Sequence, residues 1–199
     1  RSTLEITKDS NHDRQAFGMG MASLGDLDGD GAMDLAIGAA EGDRWYGNAD
    51  QDIYWSHDKD GVVYITYMNT DGSIKSTVTI DKDTTNGPGS SAAHSYGKSI
   101  VNLGDLDGDG VTDIAVGSNE GYYNEDGTHR GEMSKGSVYL LHMKTDGTVK
   151  ESFRIDEDFP SGPQIGNGGW NGQFGSSIAA ADIDGDFRLD LVVGSPGDN

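Results

Sequence analysis

Residues 25–34 read Gly-Asp-Leu-Asp-Gly-Asp-Gly-Ala-Met-Asp, residues 104–113 repeat this as Gly-Asp-Leu-Asp-Gly-Asp-Gly-Val-Thr-Asp, and residues 181–190 return it as Ala-Asp-Ile-Asp-Gly-Asp-Phe-Arg-Leu-Asp. Counted from the first aspartate, carboxylates stand at positions 1, 3, 5 and 9 of every copy: Asp26, Asp28, Asp30 and Asp34; Asp105, Asp107, Asp109 and Asp113; Asp182, Asp184, Asp186 and Asp190. Four carboxylates within nine residues repel one another unless a cation neutralises them. Calcium suits such a loop, because it accepts about six to eight oxygens in flexible geometry and alternate residues of a tight curl can aim theirs at one centre. The seventh position, Ala32, Val111 or Arg188, is expected to add a backbone carbonyl. Gly31 and Gly110 sit where a sharp turn demands positive φ, and Gly29 and Gly108 are read as permitting close backbone approach.

A single Asp-x-Asp-Gly is usually a solvated turn. Three copies, each with its last aspartate at position 9, point instead to two strong calcium sites and a third, weaker one, where Phe187 replaces the turn glycine and Arg188 follows. An EF-hand opens similarly, yet it needs a glutamate at position 12 and flanking helices. Position 12 here is Ile37, Val116 and Val193, and Leu35–Ile37, Ile114–Val116 and Leu191–Val193 are short apolar β-formers bounded by glycine, expected as buried strands.

Each unit opens on an aromatic-glycine pair, Phe17-Gly18, Tyr96-Gly97 or Phe174-Gly175, and closes on Gly38-Ala39-Ala40, Gly117-Ser118-Asn119 or Gly194-Ser195-Pro196. This combination resembles the FG-GAP repeat of the integrin α-subunit β-propeller and its bacterial relatives, over essentially the whole chain. The resemblance implies an all-β propeller in which every repeat makes one blade of four antiparallel strands and the calcium loop joins its first two. The closing triplet is imperfect in all three copies, and the repeats are longer than is usual for the family.

The residues describe the same blade independently. A third strand (62–68 and 137–143), an Asp71-Gly72 or Asp146-Gly147 hairpin turn, and a fourth strand (74–80 and 149–155) align between repeats without gaps. Residues 4–9 match residues 78–83, so residues 1–10 read as the last strand of a preceding blade. Blades are then expected at 16–83 and 95–158, with the first half of another at 173–199, within a single domain spanning 1–199. The count is eleven strands, one outside two whole blades and two after them. Propellers close with about four to eight blades, so this partial propeller is expected to belong to a longer chain or to associate through open blade edges.

Composition narrows the partners. The formal net charge is −20, from 14 basic and 34 acidic side chains, which disfavours nucleic acid and anionic membranes. There is no cysteine, so metal rather than disulfides would staple the fold. No apolar run approaches the ~18–20 residues of a membrane span. Loops of this kind fall in the weaker calcium range of extracellular modules, roughly 10⁻⁴–10⁻³ M, so the expected location is extracellular or the cell surface.

In a four-stranded up-and-down blade, the calcium loops and Asp-Gly hairpins share one end. The opposite end carries residues 39–61, 81–95, 118–136 and 156–173, read as long loops without secondary structure and holding Trp45, Tyr46, Trp55, Tyr122, Tyr123 and Trp170. Amphipathic rings on such loops suit recognition of an extracellular protein or carbohydrate, or else cap the blade ends. Integrin-type propellers use this face for ligands. The five histidines are scattered and no catalytic constellation is discernible, so the chain is not read as an enzyme. The competing readings are a structural spacer of a large surface protein and a non-catalytic propeller accompanying an enzyme domain elsewhere in the chain.

Overall fold

The computed structural model of the chain describes residues 16–40, 44–48, 51–56, 61–89, 95–118, 136–156, 159–160 and 173–196, with 44–48 and 51–56 described by their backbone alone. The expected strand within residues 1–10 lies outside this set, as do Tyr122, Tyr123 and Trp170. Twelve strands and no helix are found among the described residues. β1 (Ala16–Gly25), β2 (Asp34–Ala40), β5 (Val62–Met68) and β6 (Ile74–Ile80) form one antiparallel sheet in the order β1-β2-β5-β6. β7 (Ser99–Gly104), β8 (Asp113–Ser118), β9 (Ser137–Met143) and β10 (Val149–Ile155) form a second sheet of the same order. β11 (Ser177–Ala181) and β12 (Asp190–Gly194) form a two-stranded antiparallel sheet that corresponds to the first two strands of the others. These are β-propeller blades.

β3 (Arg44–Asn48) and β4 (Gln51–Ser56) correct the expectation of an irregular 39–61 loop. They pair as an antiparallel hairpin inserted between β2 and β5, with Trp45 opposite Trp55 and Tyr46 opposite Tyr54. Aromatic residues favour the strand surface, and Asn48-Ala49-Asp50 between two aromatic runs is turn chemistry. Among the described residues the hairpin brings the strand count to twelve, where the sequence reading places ten. Leu191–Val193 also departs from its expected burial. Val192 is 51% exposed, because among the described residues β12 pairs only with β11.

Blades stack through their faces. Leu24, Ile65, Ile80, Ile114, Val116, Leu141 and Met143 belong to one buried cluster drawn from the first two blades. Leu103, Ala115, Val138 and Phe174 form a second cluster that the partly buried Ile178 and Val193 join from the third blade. The aromatic-glycine pairs are the joints of this stack. Tyr96 is fully buried with its ring edge-on to Tyr139, centroids 5.7 Å apart. The adjoining Gly97 carbonyl presses on Gly38 of β2, and the Gly175 carbonyl presses likewise on Gly117 of β8, so a methyl group at either glycine would meet backbone oxygen. The first two closing triplets therefore begin with glycine because the next blade's backbone lies where a side chain would go. Side chains add to the joints, with Asn102 Nδ2 donating to the Ser23 carbonyl at 2.7 Å and Tyr67 Oη to the Thr145 carbonyl at 2.7 Å.

Candidate metal loops

In the first two blades, the loop that links the first two strands begins at a bulge. Pairing slips between Ser23 and Gly25 in the first blade and between Asn102 and Gly104 in the second. The glycine there takes positive φ, 75° at Gly25 and 66° at Gly104. The third blade has Ala181 at this point and its ladder runs on in register to Asp190.

Within each loop, position 1 is the organising residue. Asp26 accepts the Asp30 amide at 2.9 Å and the Gly31 amide at 2.8 Å; Asp105 accepts the Asp109 and Gly110 amides at 2.9 and 2.8 Å; Asp182 accepts the Asp186 and Phe187 amides at 3.1 and 2.9 Å. Curling the chain over one carboxylate requires left-handed backbone at positions 4 and 6. Gly29 and Gly31 have φ of 79° and 89°, and Gly108 and Gly110 repeat this at 80° and 87°. A Cβ at Gly29 or Gly108 would meet nothing within 4 Å, so backbone conformation, and not the expected close approach, explains those two glycines.

Position 9 ties the loop to the sheet. Asp34 is fully buried, yet Oδ2 accepts the Leu27 amide and Oδ1 the Met68 amide, both at 2.9 Å. Asp113 repeats this with the Leu106 and Met143 amides, again at 2.9 Å, and Asp190 accepts the Ile183 amide at 2.9 Å. In the first two blades one buried carboxylate thus joins the loop's second residue to the end of the third strand.

The loops bring carboxylate oxygens of Asp26, Asp28 and Asp34 within 4.8 Å of one another, and do the same for Asp105, Asp107 and Asp113 and for Asp182, Asp184 and Asp190. Three hard oxygens converging in each loop, one on a residue held by the sheet, fit an oxygen-seeking dication such as calcium. Position 5 stands outside these groups. Asp30, Asp109 and Asp186 each turn one oxygen back to the amide two residues on, that of Ala32, Val111 or Arg188, at 2.9, 3.0 and 2.9 Å.

Two lysines that motif reading passed over complete the first two loops. Lys75 Nζ, near the start of β6, lies 2.7 Å from Asp28 and 2.5 Å from Asp30. Lys150 Nζ on β10 repeats both distances to Asp107 and Asp109. The ammonium groups, together with the Ala32 and Val111 amides, hold the Asp30 and Asp109 carboxyls below the usual carboxylate range. The signal was available, since each lysine stands four residues after its hairpin aspartate, Asp71 or Asp146. In the second loop His142 also approaches, its Nδ1 3.5 Å from Asp107 Oδ2.

At the hairpins on the same end, Asp71 accepts both the amide and the hydroxyl of Ser73, at 2.9 and 2.6 Å. Asp146 does the same with Thr148, at 3.0 and 2.6 Å. These bonds lower both carboxyl pKa values. The backbone of Trp45, Tyr46 and Trp55 lies in the β3–β4 hairpin, which leaves the blade beyond β2, at the end of that strand away from Asp34.

A family profile described as FG-GAP repeat matches residues 174–199. The chain is 32% identical over 187 residues to integrin alpha-3 of Cricetulus griseus, a match covering 92% of this chain and 14% of that protein. It is 30% identical over 186 residues to integrin alpha-6 of Gallus gallus, with the same coverage. Against integrin alpha-IIb of Homo sapiens it is 34% identical over 106 residues, 52% of this chain and 8% of that protein. The chain therefore spans about one seventh or less of the length of these relatives. Among the described residues no helix is long and apolar enough to cross a membrane. Repeated aromatic-glycine joints, four-stranded antiparallel blades and matches over most of its length together identify this chain as an FG-GAP, integrin-α-like β-propeller segment.

Proposed function

We propose that the chain is a calcium-stabilised recognition segment of an extracellular or cell-surface protein, with no catalytic role of its own. The observation that carries the calcium part is the convergence of three carboxylate oxygens in every one of three sequence-related loops. Asp26, Asp28 and Asp34, with their counterparts in the other two loops, would hold the ion. Asp30, Asp109 and Asp186 and the carbonyls of Ala32, Val111 and Arg188 would complete its shell after local adjustment. When bound, the ion supplies charge neutralisation that lets each loop keep its aspartates together. The third site is proposed as the weaker, because Phe187 must hold a left-handed conformation that glycine holds freely.

Recognition is assigned to the other end of the blade, where the β3–β4 hairpin sets Trp45 across from Trp55 and Tyr46 across from Tyr54. Aromatic residues presented on a short hairpin suit a carbohydrate or protein ligand, because they bury large area at low conformational cost. Tyr122, Tyr123 and Trp170 are proposed to share in this surface. Adhesion is the activity class that the integrin-α relationship favours. The test is binding in millimolar calcium to glycan and extracellular-matrix protein panels, comparing the chain with Trp55→Ala. Binding lost in the variant supports recognition, whereas no binding across the panels favours a structural spacer.

A further inference from the structure

Both complete blades place a lysine on the carboxylates of positions 3 and 5. Lys75 bridges Asp28 and Asp30, and Lys150 bridges Asp107 and Asp109, with matching distances of 2.7 and 2.5 Å in each blade. Both lysine side chains remain about two-fifths exposed, so burial has not forced them onto the loops. Among the described residues Asp184 and Asp186 pair with no lysine or arginine, and Asp186 stands outside the converging oxygens all the same. The outward set of position 5 therefore belongs to the loop itself, through its bond to the amide two residues on, and the lysines act on a carboxylate already turned towards them.

We infer that Lys75 and Lys150 are internal counter-ions that compete with the divalent cation. In the metal-free chain each ammonium bridges the pair at positions 3 and 5 and offsets one of its two negative charges. For an ion to take Asp30 or Asp109 into its shell, the lysine must give up that carboxylate, and what remains is a positive charge beside a second positive charge sharing Asp28 or Asp107. Like charges at such separations repel even near a protein surface. The lysines thus raise the cation concentration at which the first two loops fill, while protecting those blades from carboxylate repulsion when the cation is scarce. Each lysine is the second residue of the fourth strand, and Asp34 or Asp113 holds the end of the third, so each loop is tied to both strands of the outer hairpin of its blade. This rests on the calcium reading of the loops.

Two measurements test it on the full chain. The first is calcium titration by calorimetry, with chelator and calcium melts, of the wild type and the Lys75→Gln/Lys150→Gln variant. The variant is expected to bind calcium about tenfold more tightly at two sites, to melt lower in chelator, and to gain more from calcium. The second is amine acetylation of the wild type followed by mass spectrometry. Lys75 and Lys150 are expected to react several-fold faster in calcium than in chelator, with Lys144 unchanged. If the variant does not fold in chelator, the acetylation result decides. Equal or weaker calcium binding by the folded variant, or unchanged acetylation of a chain that demonstrably binds calcium, overturns the competition and leaves the calcium reading standing. Absence of calcium binding by the wild type and the variant alike removes the calcium reading, and the competition with it.

Discussion

Gly31 and Phe187 occupy the same position of their loops and take the same left-handed backbone, with φ of 89° and 67°. Glycine enters this region freely, whereas an L-residue with a side chain pays roughly 1–2 kcal/mol. Phe187 is 96% exposed, so its ring offsets little of that cost by packing. Phe187→Gly should therefore stabilise the chain by about 1 kcal/mol, read as a higher melting temperature, and tighten calcium at the third loop. Gly31→Ala should cost about as much. A neutral or destabilising Phe187→Gly would show that the ring has a packing role.

Asp34 and Asp113 should matter even without metal. Each is buried and each satisfies two backbone amides from different segments. Asp34→Ala leaves both amides unpaired, at about 1–3 kcal/mol apiece before any metal effect. Chemical denaturation in chelator should show this loss, while Asp28→Ala in chelator should show much less. Equal losses for the two variants would contradict the division between sheet-tying and ion-holding carboxylates.

Gly38 and Gly117 test the blade joint. Alanine at either position would put a methyl group into the carbonyl of Gly97 or Gly175. Backbone cannot yield there without separating the blades, so each substitution is expected to cost about 1–3 kcal/mol or more. Denaturant midpoints check it, with Gly29→Ala as a comparison whose cost comes from φ alone.

The hairpin aspartates predict a pH dependence. Hydrogen bonds from Ser73 and Thr148 depress the folded pKa of Asp71 and Asp146 below 3.8. A depressed carboxylate adds stability that is present above the unfolded pKa and disappears as pH falls through the folded value. Wild type should therefore melt above Asp71→Asn/Asp146→Asn at neutral pH, with the gap closing below about pH 4. A gap independent of pH would assign the effect to turn geometry rather than to charge.

Much of the fold was legible because two kinds of constraint leave marks in sequence. Residues 62–68, 74–80, 137–143 and 149–155 form strands with the expected limits, since β-formers bounded by Asp-Gly turns leave little alternative. Repetition then aligned the blades. The β3–β4 hairpin escaped because residues 39–61 and 118–136 differ in length and sequence, so repetition did not align them. Glycines 29 and 108 were noticed for the wrong physical reason, as composition alone does not separate open space from left-handed backbone. The aspartates of positions 1, 3 and 9 converge, while position 5 does not, because an amide two residues on competes for it. Lys75 and Lys150 lie more than forty residues from the aspartates they reach, a proximity that only strand pairing creates.

Calorimetric titration of the chelated chain with calcium tests the central claim most directly. Saturable binding is predicted in the range of extracellular calcium modules, roughly 10⁻⁴–10⁻³ M, and it should vanish in the Asp28→Ala/Asp107→Ala/Asp184→Ala variant while that variant remains folded. Titrations that show no saturable binding in millimolar calcium, or binding that survives loss of all three aspartates, would contradict the account.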